Sequence, residues 1–138
     1  MRSTLREYFP AAIEAFEDLA AKDSLLLLAR APSPMRAAKL TRSQVVSALR
    51  EARRHHAEAK ADALLAVLRT PGLRQPATTD AAYAAVVIGR VGIITALNEQ
   101  IAQLQEVVAE HFGRHPAADI YRVRLVWSEA PTRVTTSA

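Results

Sequence analysis

Between Thr79 and Phe112 nothing in the sequence stops a helix except Gly89 and Gly92. Each of these glycines costs a helix roughly 1 kcal/mol relative to alanine, too little to break so long a run. Unbroken, that helix is about 50 Å long at a rise of about 1.5 Å per residue. Its second half carries a heptad seam, with Ile94, Ile101 and Val108 at a positions and Leu97 and Leu104 at d positions. Val87 extends the a series backwards, but Arg90 falls at d and interrupts it. Such a seam serves equally for pairing with a second copy and for folding back on its own chain. A homodimer through Ile94, Leu97, Ile101, Leu104 and Val108 is therefore one expectation.

The rest of the chain agrees with that long helix. Four Gly and seven Pro in 138 residues are too few for the turns of an all-β fold. Ala, Leu and Arg dominate, with Glu and Gln beside them, and these residues lose least on entering a helix. The fold class expected is all-α: helical hairpins plus one long coiled-coil-like helix, ending in a disordered tail. Residues 1–72 form a helical region with a basic helix pair, 73–116 the long helix, and 117–138 the tail.

Local signals place the shorter helices. Thr4 to Phe9 reads as helical, and Pro10 starts or kinks a second helix to about Ala21, with Ile13, Phe16 and Leu19 on one face. Asp23 is placed to cap a short apolar helix from Ser24 to Ala31. Ser33 as N-cap with Pro34 at the first helical position starts another, to about Lys39. Thr41 and Gln44 make a capping box, and the helix it opens puts Val45, Ala48, Leu49 and Ala52 on a core face. A further helix spans about Ala57 to Leu68 and ends at Pro71-Gly72.

Charge is unevenly distributed. From Arg30 to Lys60 there are eight Lys/Arg against two acids, a local +6 in a chain whose total is +4, so the remainder sums to −2. Concentrated positive charge on short helices suits a polyanion better than a small molecule. The candidate nucleic-acid-binding residues are Arg36, Lys39, Arg42, Arg50, Arg53 and Arg54, and His55-His56 extend the same surface. The bland alternative is a solvated helical face. Pro34 to Arg54 also has the outline of a helix-turn-helix, the basis for an alternative reading as a small DNA-binding regulator. A purely structural helical oligomer is the third reading.

No catalytic constellation assembles. Glu14, Glu17 and Asp18 lie within two turns, and Glu99, Glu106 and Glu110 line the long helix, spacings that describe solvated faces. No Ser or Thr sits in a strand–helix elbow beside a His and an acid. Gly89-x-x-Gly92 lies in an apolar helix and reads as close helix packing, not as a phosphate loop. His111 and His115 have helical ligand spacing but no dependable third ligand, so no metal and no cofactor is expected. The chain has no Cys, which excludes a disulfide framework and fits a reducing compartment. No signal peptide follows Met1-Arg2, and the apolar window from Ala81 to Leu97 contains Arg90 and falls short of a membrane span. A soluble cytoplasmic protein without a small-molecule substrate is expected.

One series of blocks is distinctive. Leu5-Arg6-Glu7-Tyr8-Phe9-Pro10-Ala11-Ala12 is followed by Glu14-Ala15-Phe16-Glu17-Asp18-Leu19, then Ala31-Pro32-Ser33-Pro34, Ala38-Lys39-Leu40-Thr41 and Leu73-Arg74-Gln75-Pro76. Leu97-Asn98-Glu99-Gln100-Ile101 and Glu110-His111-Phe112-Gly113-Arg114-His115-Pro116 complete it. Over about residues 2 to 121 the sequence resembles the middle of insertion-sequence transposases of the IS-one-ten (IS-one-sixteen, IS-nine-oh-two) family. The resemblance implies a DNA recombinase with an N-terminal RuvC-like domain whose DEDD tetrad binds divalent metal. It further implies a helical, coiled-coil-containing middle and a C-terminal domain with a catalytic serine. DNA and an element-encoded guide RNA are the implied partners. No acid here matches the tetrad and no serine matches the nucleophile. After Ile120-Tyr121 the family's apolar, Gly-rich continuation is replaced by Arg122 to Trp127 and a polar end at Ala138. The expectation is a truncated, frameshifted remnant, not itself an enzyme, with residual DNA or RNA binding and self-association.

Overall fold

The structure, a computed structural model, describes residues 1–72 and 74–114. Among these the chain is all-α, with seven helices and no strand. They are α1 (Arg2–Tyr8), α2 (Pro10–Ala15), α3 (Lys22–Arg30), α4 (Pro34–Ala38), α5 (Arg42–Glu51), α6 (Ala57–Leu68) and α7 (Ala77–Arg114). The tail from 117 to 138, with Trp127, and His115 lie outside the described residues. The chain divides into two compact units, Met1–Asn98 and the residues from Glu99 onward.

In the first unit the core is built where the apolar stripes meet. α6 packs against α5, α2 and α4, while α1 packs on α2 and α3 on α5. Leu5, Phe9, Leu27, Leu28, Val45, Leu49 and Val87 are fully buried there. Tyr8 stacks on Tyr83 with ring centroids 4.5 Å apart, bringing α7 against α1. Burial, reinforced by Asp80, pushes the Tyr8 hydroxyl well above the ordinary tyrosine range. It stays protonated and donates to the Pro32 carbonyl. Arg90 donates to the Thr4 hydroxyl, and Asn98 donates to the Ala20 carbonyl at 2.9 Å. These contacts, with buried Ala84 and Val91, spend the first part of α7 on its own unit.

Capping chemistry fixed several starts as the sequence suggests. Ser33 Oγ accepts from the Arg36 N–H, and both halves of the Thr41–Gln44 capping box form. α7 begins after Pro76, whose carbonyl accepts from the Asp80 N–H at 2.9 Å.

Four expectations need correction. α2 stops at Ala15, not Ala21, because Phe16 is extended (φ −119°, ψ 113°) and Asp18 Oδ1 accepts from the Ala20 N–H, a local alternative to the helix. Phe16 and Leu19 are buried from an irregular segment instead. Asp23 does not cap α3: Ala21 is the N-cap and makes no side-chain cap bond, and Asp23 is drawn elsewhere. Gly89 and Gly92 are not close-packing sites, since a Cβ at either meets nothing within 4 Å among the described residues. Finally, α7 continues past Leu97 and is long and apolar enough, by length and composition, to cross a membrane. Its inward stripe is nevertheless occupied by the core contacts just described.

In the second unit the described residues, 99–114, are helical throughout. Ile101, Leu104, Val107 and Val108 stand exposed there.

Candidate nucleic-acid interface

The eight cations between Arg30 and Lys60 are not equivalent once folded. Arg42 forks onto Asp62, with Nε–Oδ1 at 2.7 Å and a second bond at 3.2 Å. Arg50 reaches Glu58 at 3.2 Å, and Arg30 lies 3.5 Å from Glu51 while donating to the Gln44 carbonyl. Arg54 forks onto Asp23 with both bonds at 2.9 Å, and Lys60 reaches the same carboxylate at 3.4 Å. Arg36, Lys39 and Arg53 have no side-chain partner among the described residues. The six candidate residues therefore split into a paired set (Arg42, Arg50, Arg54) and a free set (Arg36, Lys39, Arg53).

Asp23 explains the geometry of the α5–α6 turn. Its side chain is 4% exposed, whereas those of Arg54 and Lys60 are 44% and 42% exposed. Burial opposes its charge, but hydrogen bonds and attraction from Arg54, with Lys60 adding to both, outweigh that and hold its carboxyl below the ordinary value. Two cations are thus brought to α3 from 31 and 37 residues away. The hydrogen bonds that Arg42 donates to Asp62 likewise raise Arg42 and hold Asp62 low, both at the open surface.

Backbone hydrogen bonds close the end of α5. The Arg54 N–H donates to the Leu49 carbonyl and the Arg53 N–H to the Arg50 carbonyl, each at 2.9 Å. This is a Schellman cap, and it puts Arg53 at the left-handed position (φ 56°) that usually belongs to glycine. His56 is also left-handed (φ 54°, ψ 41°) and serves as N-cap of α6 without a side-chain cap bond. The result is a short turn with Arg54 directed to Asp23 and Arg53, His55 and His56 exposed.

The helix-turn-helix outline has a different interior from what the sequence suggested. α4 is five residues long and packs against α6. The arginines at either end of α5 are engaged by acids of α6. Glu58 was counted with the block, but Asp62 on α6 and Asp23 on α3 fall outside it, and sequence reasoning missed both. It also missed Arg69, which donates to the Leu40 carbonyl at 2.7 Å and ties the end of α6 to the α4–α5 connection. No local signal links residues 20 or more positions apart.

Other candidates keep to local roles. His111 Nδ1 lies 3.0 Å from the Val107 carbonyl, within its own helix. Among the described residues no three His, Asp or Glu side chains gather as a metal site. At the heptad seam, Ile94 is partly buried against the core, while Leu97, Ile101, Leu104 and Val108 are each more than half exposed.

The chain is similar to the protein named "Mini-circle putative transposase for IS117" of Streptomyces coelicolor, with 30% identity over 125 residues. The match covers 87% of this chain and 30% of that protein, so the chain spans under a third of the relative's length. This likeness supports a transposase-like relationship. No family model matches the chain, and no solved structure matches it.

The Asp23 cluster yields a pH-dependent prediction. Because its folded-state pKa lies below the unfolded one, Asp23 stabilises the fold fully above the ordinary aspartate range, about pH 4. That contribution fades as pH falls through the folded-state value. Asp23→Asn should cost about 1–3 kcal/mol near neutral pH, discounted from a fully buried pair because both cations are partly exposed. Thermal melts of wild type and variant should converge as pH drops below about 4. Melting curves equally separated at every pH would remove the assigned role.

Proposed function

We propose that this chain is a transposition-related protein whose basic block binds the backbone of a nucleic acid. The observation that carries the reading is the separation of the block into anchored and free cations. Arg54 and Lys60 are committed to Asp23, and Arg36, Lys39 and Arg53 remain unpartnered among the described residues. The likeness to a transposase is in keeping with a nucleic acid as the class of partner. Charge of this kind positions a phosphodiester backbone without reading bases. Arg42, Arg50 and Arg54 belong to the same surface, held in place by carboxylates. The helix-turn-helix reading is less well supported, since α4 is short and α5 displays no unpaired arginine among the described residues.

The proposal gives this chain a binding role and no catalytic step. The recombination chemistry that the relative's name implies would need metal-ligating acids or a nucleophilic serine, and none is assigned. Self-association is the second part of the reading. With Ile94 drawn toward the core, the seam open to a second copy reduces to Leu97, Ile101, Leu104 and Val108.

Binding to labelled duplex DNA and single-stranded RNA, followed by fluorescence anisotropy across a salt series, tests the first part. With three free cations on phosphates, log affinity should fall against log salt with a slope of about −3. Reversing Arg36, Lys39 and Arg53 to Glu together should weaken binding about tenfold or more at low salt. Affinity indifferent to salt would refute the reading. For the second part, Leu97→Glu with Leu104→Glu should abolish any dimer seen in sedimentation, and an unchanged mass would discard the seam.

A further inference from the structure

The surface of α5 holds a feature that the binding proposal leaves unexplained. Arg42, Ser43, Val46, Ser47 and Arg50 line a shallow, open depression. Of these residues Val46 is buried, and Ser43 and Ser47 are one helical turn apart on α5. Arg42 and Arg50 are the first and last of the five along the helix. Arg42 and Arg50 are eight residues apart, about 12 Å along the helix axis, a span of roughly three to four nucleotides of one strand. Guanidinium, hydroxyl, hydroxyl, guanidinium is a row of hydrogen-bond donors suited to successive phosphates.

In the free protein both guanidiniums already hold carboxylates. Asp62 takes Arg42 in a two-bond fork, and Glu58 takes Arg50. Glu58 and Asp62 are four apart on α6 and so share one face of that helix. The fork on Asp62 is the geometry in which a guanidinium also grips a phosphate. All four side chains are more than half exposed, and ion pairs this open contribute little to stability and exchange readily.

We infer that Glu58 and Asp62 form an acidic shield: internal stand-ins for phosphate that hold Arg42 and Arg50 until a phosphodiester backbone displaces them. The inference rests on the nucleic-acid-binding reading and adds its regulation. The shield keeps the resting charge of α5 low and disfavours weak, scattered polyanion contacts. It yields only where a backbone engages both arginines together. The free cations Arg36, Lys39 and Arg53 make the first contact, and the shielded pair adds to it.

The test is a comparison of two variants with the same change in net charge. D62N with E58Q removes the shield, and E14Q with E17Q makes the same charge change at exposed positions of the N-terminal segment. Each is titrated with labelled single-stranded RNA and labelled duplex DNA over a salt series, the two probes separating the sources of the shared phosphodiester chemistry. The shield variant should bind about tenfold tighter than wild type at low salt, with a salt slope steeper by about one to two. Adding R42A and R50A should erase that gain. D62N alone should move affinity and slope in the same direction by about half in the logarithm, which covers the case in which the double variant folds poorly. An equal gain in the E14Q/E17Q control overturns the inference, as does an unchanged shield variant beside a wild type that binds in a salt-dependent way. That last result leaves the nucleic-acid reading intact. Absence of salt-dependent binding in every variant removes both.

Discussion

The buried carboxylate of Asp23 organises the basic half of this protein. A charge taken out of water is tolerated only with partners, and Asp23 is almost wholly covered. Its partners come from the far end of α5 and from α6, so α3 and the α5–α6 turn are brought together. Once Arg54 is committed inward, its neighbours have little freedom. The Schellman cap closes α5 one residue earlier, and Arg53 takes a left-handed conformation that disfavours any side chain larger than glycine's. The side chain of this strained arginine has no hydrogen-bond or ion-pair partner among the described residues, and in the proposed reading it serves a nucleic acid.

The same logic divides the positive charge. Within the block alone the excess is +6, but Asp23 and Asp62 enter from outside it and reduce the effective figure to +4. Three of those four charges lie on or just beyond α4 and just after α5, at Arg36, Lys39 and Arg53, and the fourth is the excess of Arg54 and Lys60 over the single carboxylate of Asp23. The uncompensated positive surface is therefore narrower than the sequence implies, and Arg42 and Arg50 within the block are paired with the exposed carboxylates of Asp62 and Glu58.

Much of the fold was legible because it is written in local signals. The Thr41–Gln44 capping box and the Ser33-Pro34 start of α4 depend on residues within a turn of one another. The uninterrupted run after Pro76 likewise became α7. The misplaced features depend on residues far apart. α2 ends early because Phe16 leaves the helix while its side chain stays in the core, and Asp23 abandons a capping role for cations more than 30 positions away. The heptad seam was visible as periodicity, yet only the packing reveals that Ile94 is drawn into the intrachain core. Gly89 and Gly92 resembled packing glycines and proved to face open space among the described residues.

In the proposed reading, a nucleic acid first engages this chain at the free cations of α4 and its C-cap and of the α5–α6 turn. Hydrogen–deuterium exchange of the whole protein, with and without a saturating duplex or single-stranded RNA, tests it most directly. Exchange at the turns should report best, because their amides open more readily than those in helix interiors. The account predicts slowed exchange at residues 34–41 and 50–57, with the core-packed part of α7 unchanged. Protection confined to residues 2–30, or no protection anywhere with bound nucleic acid, would contradict it.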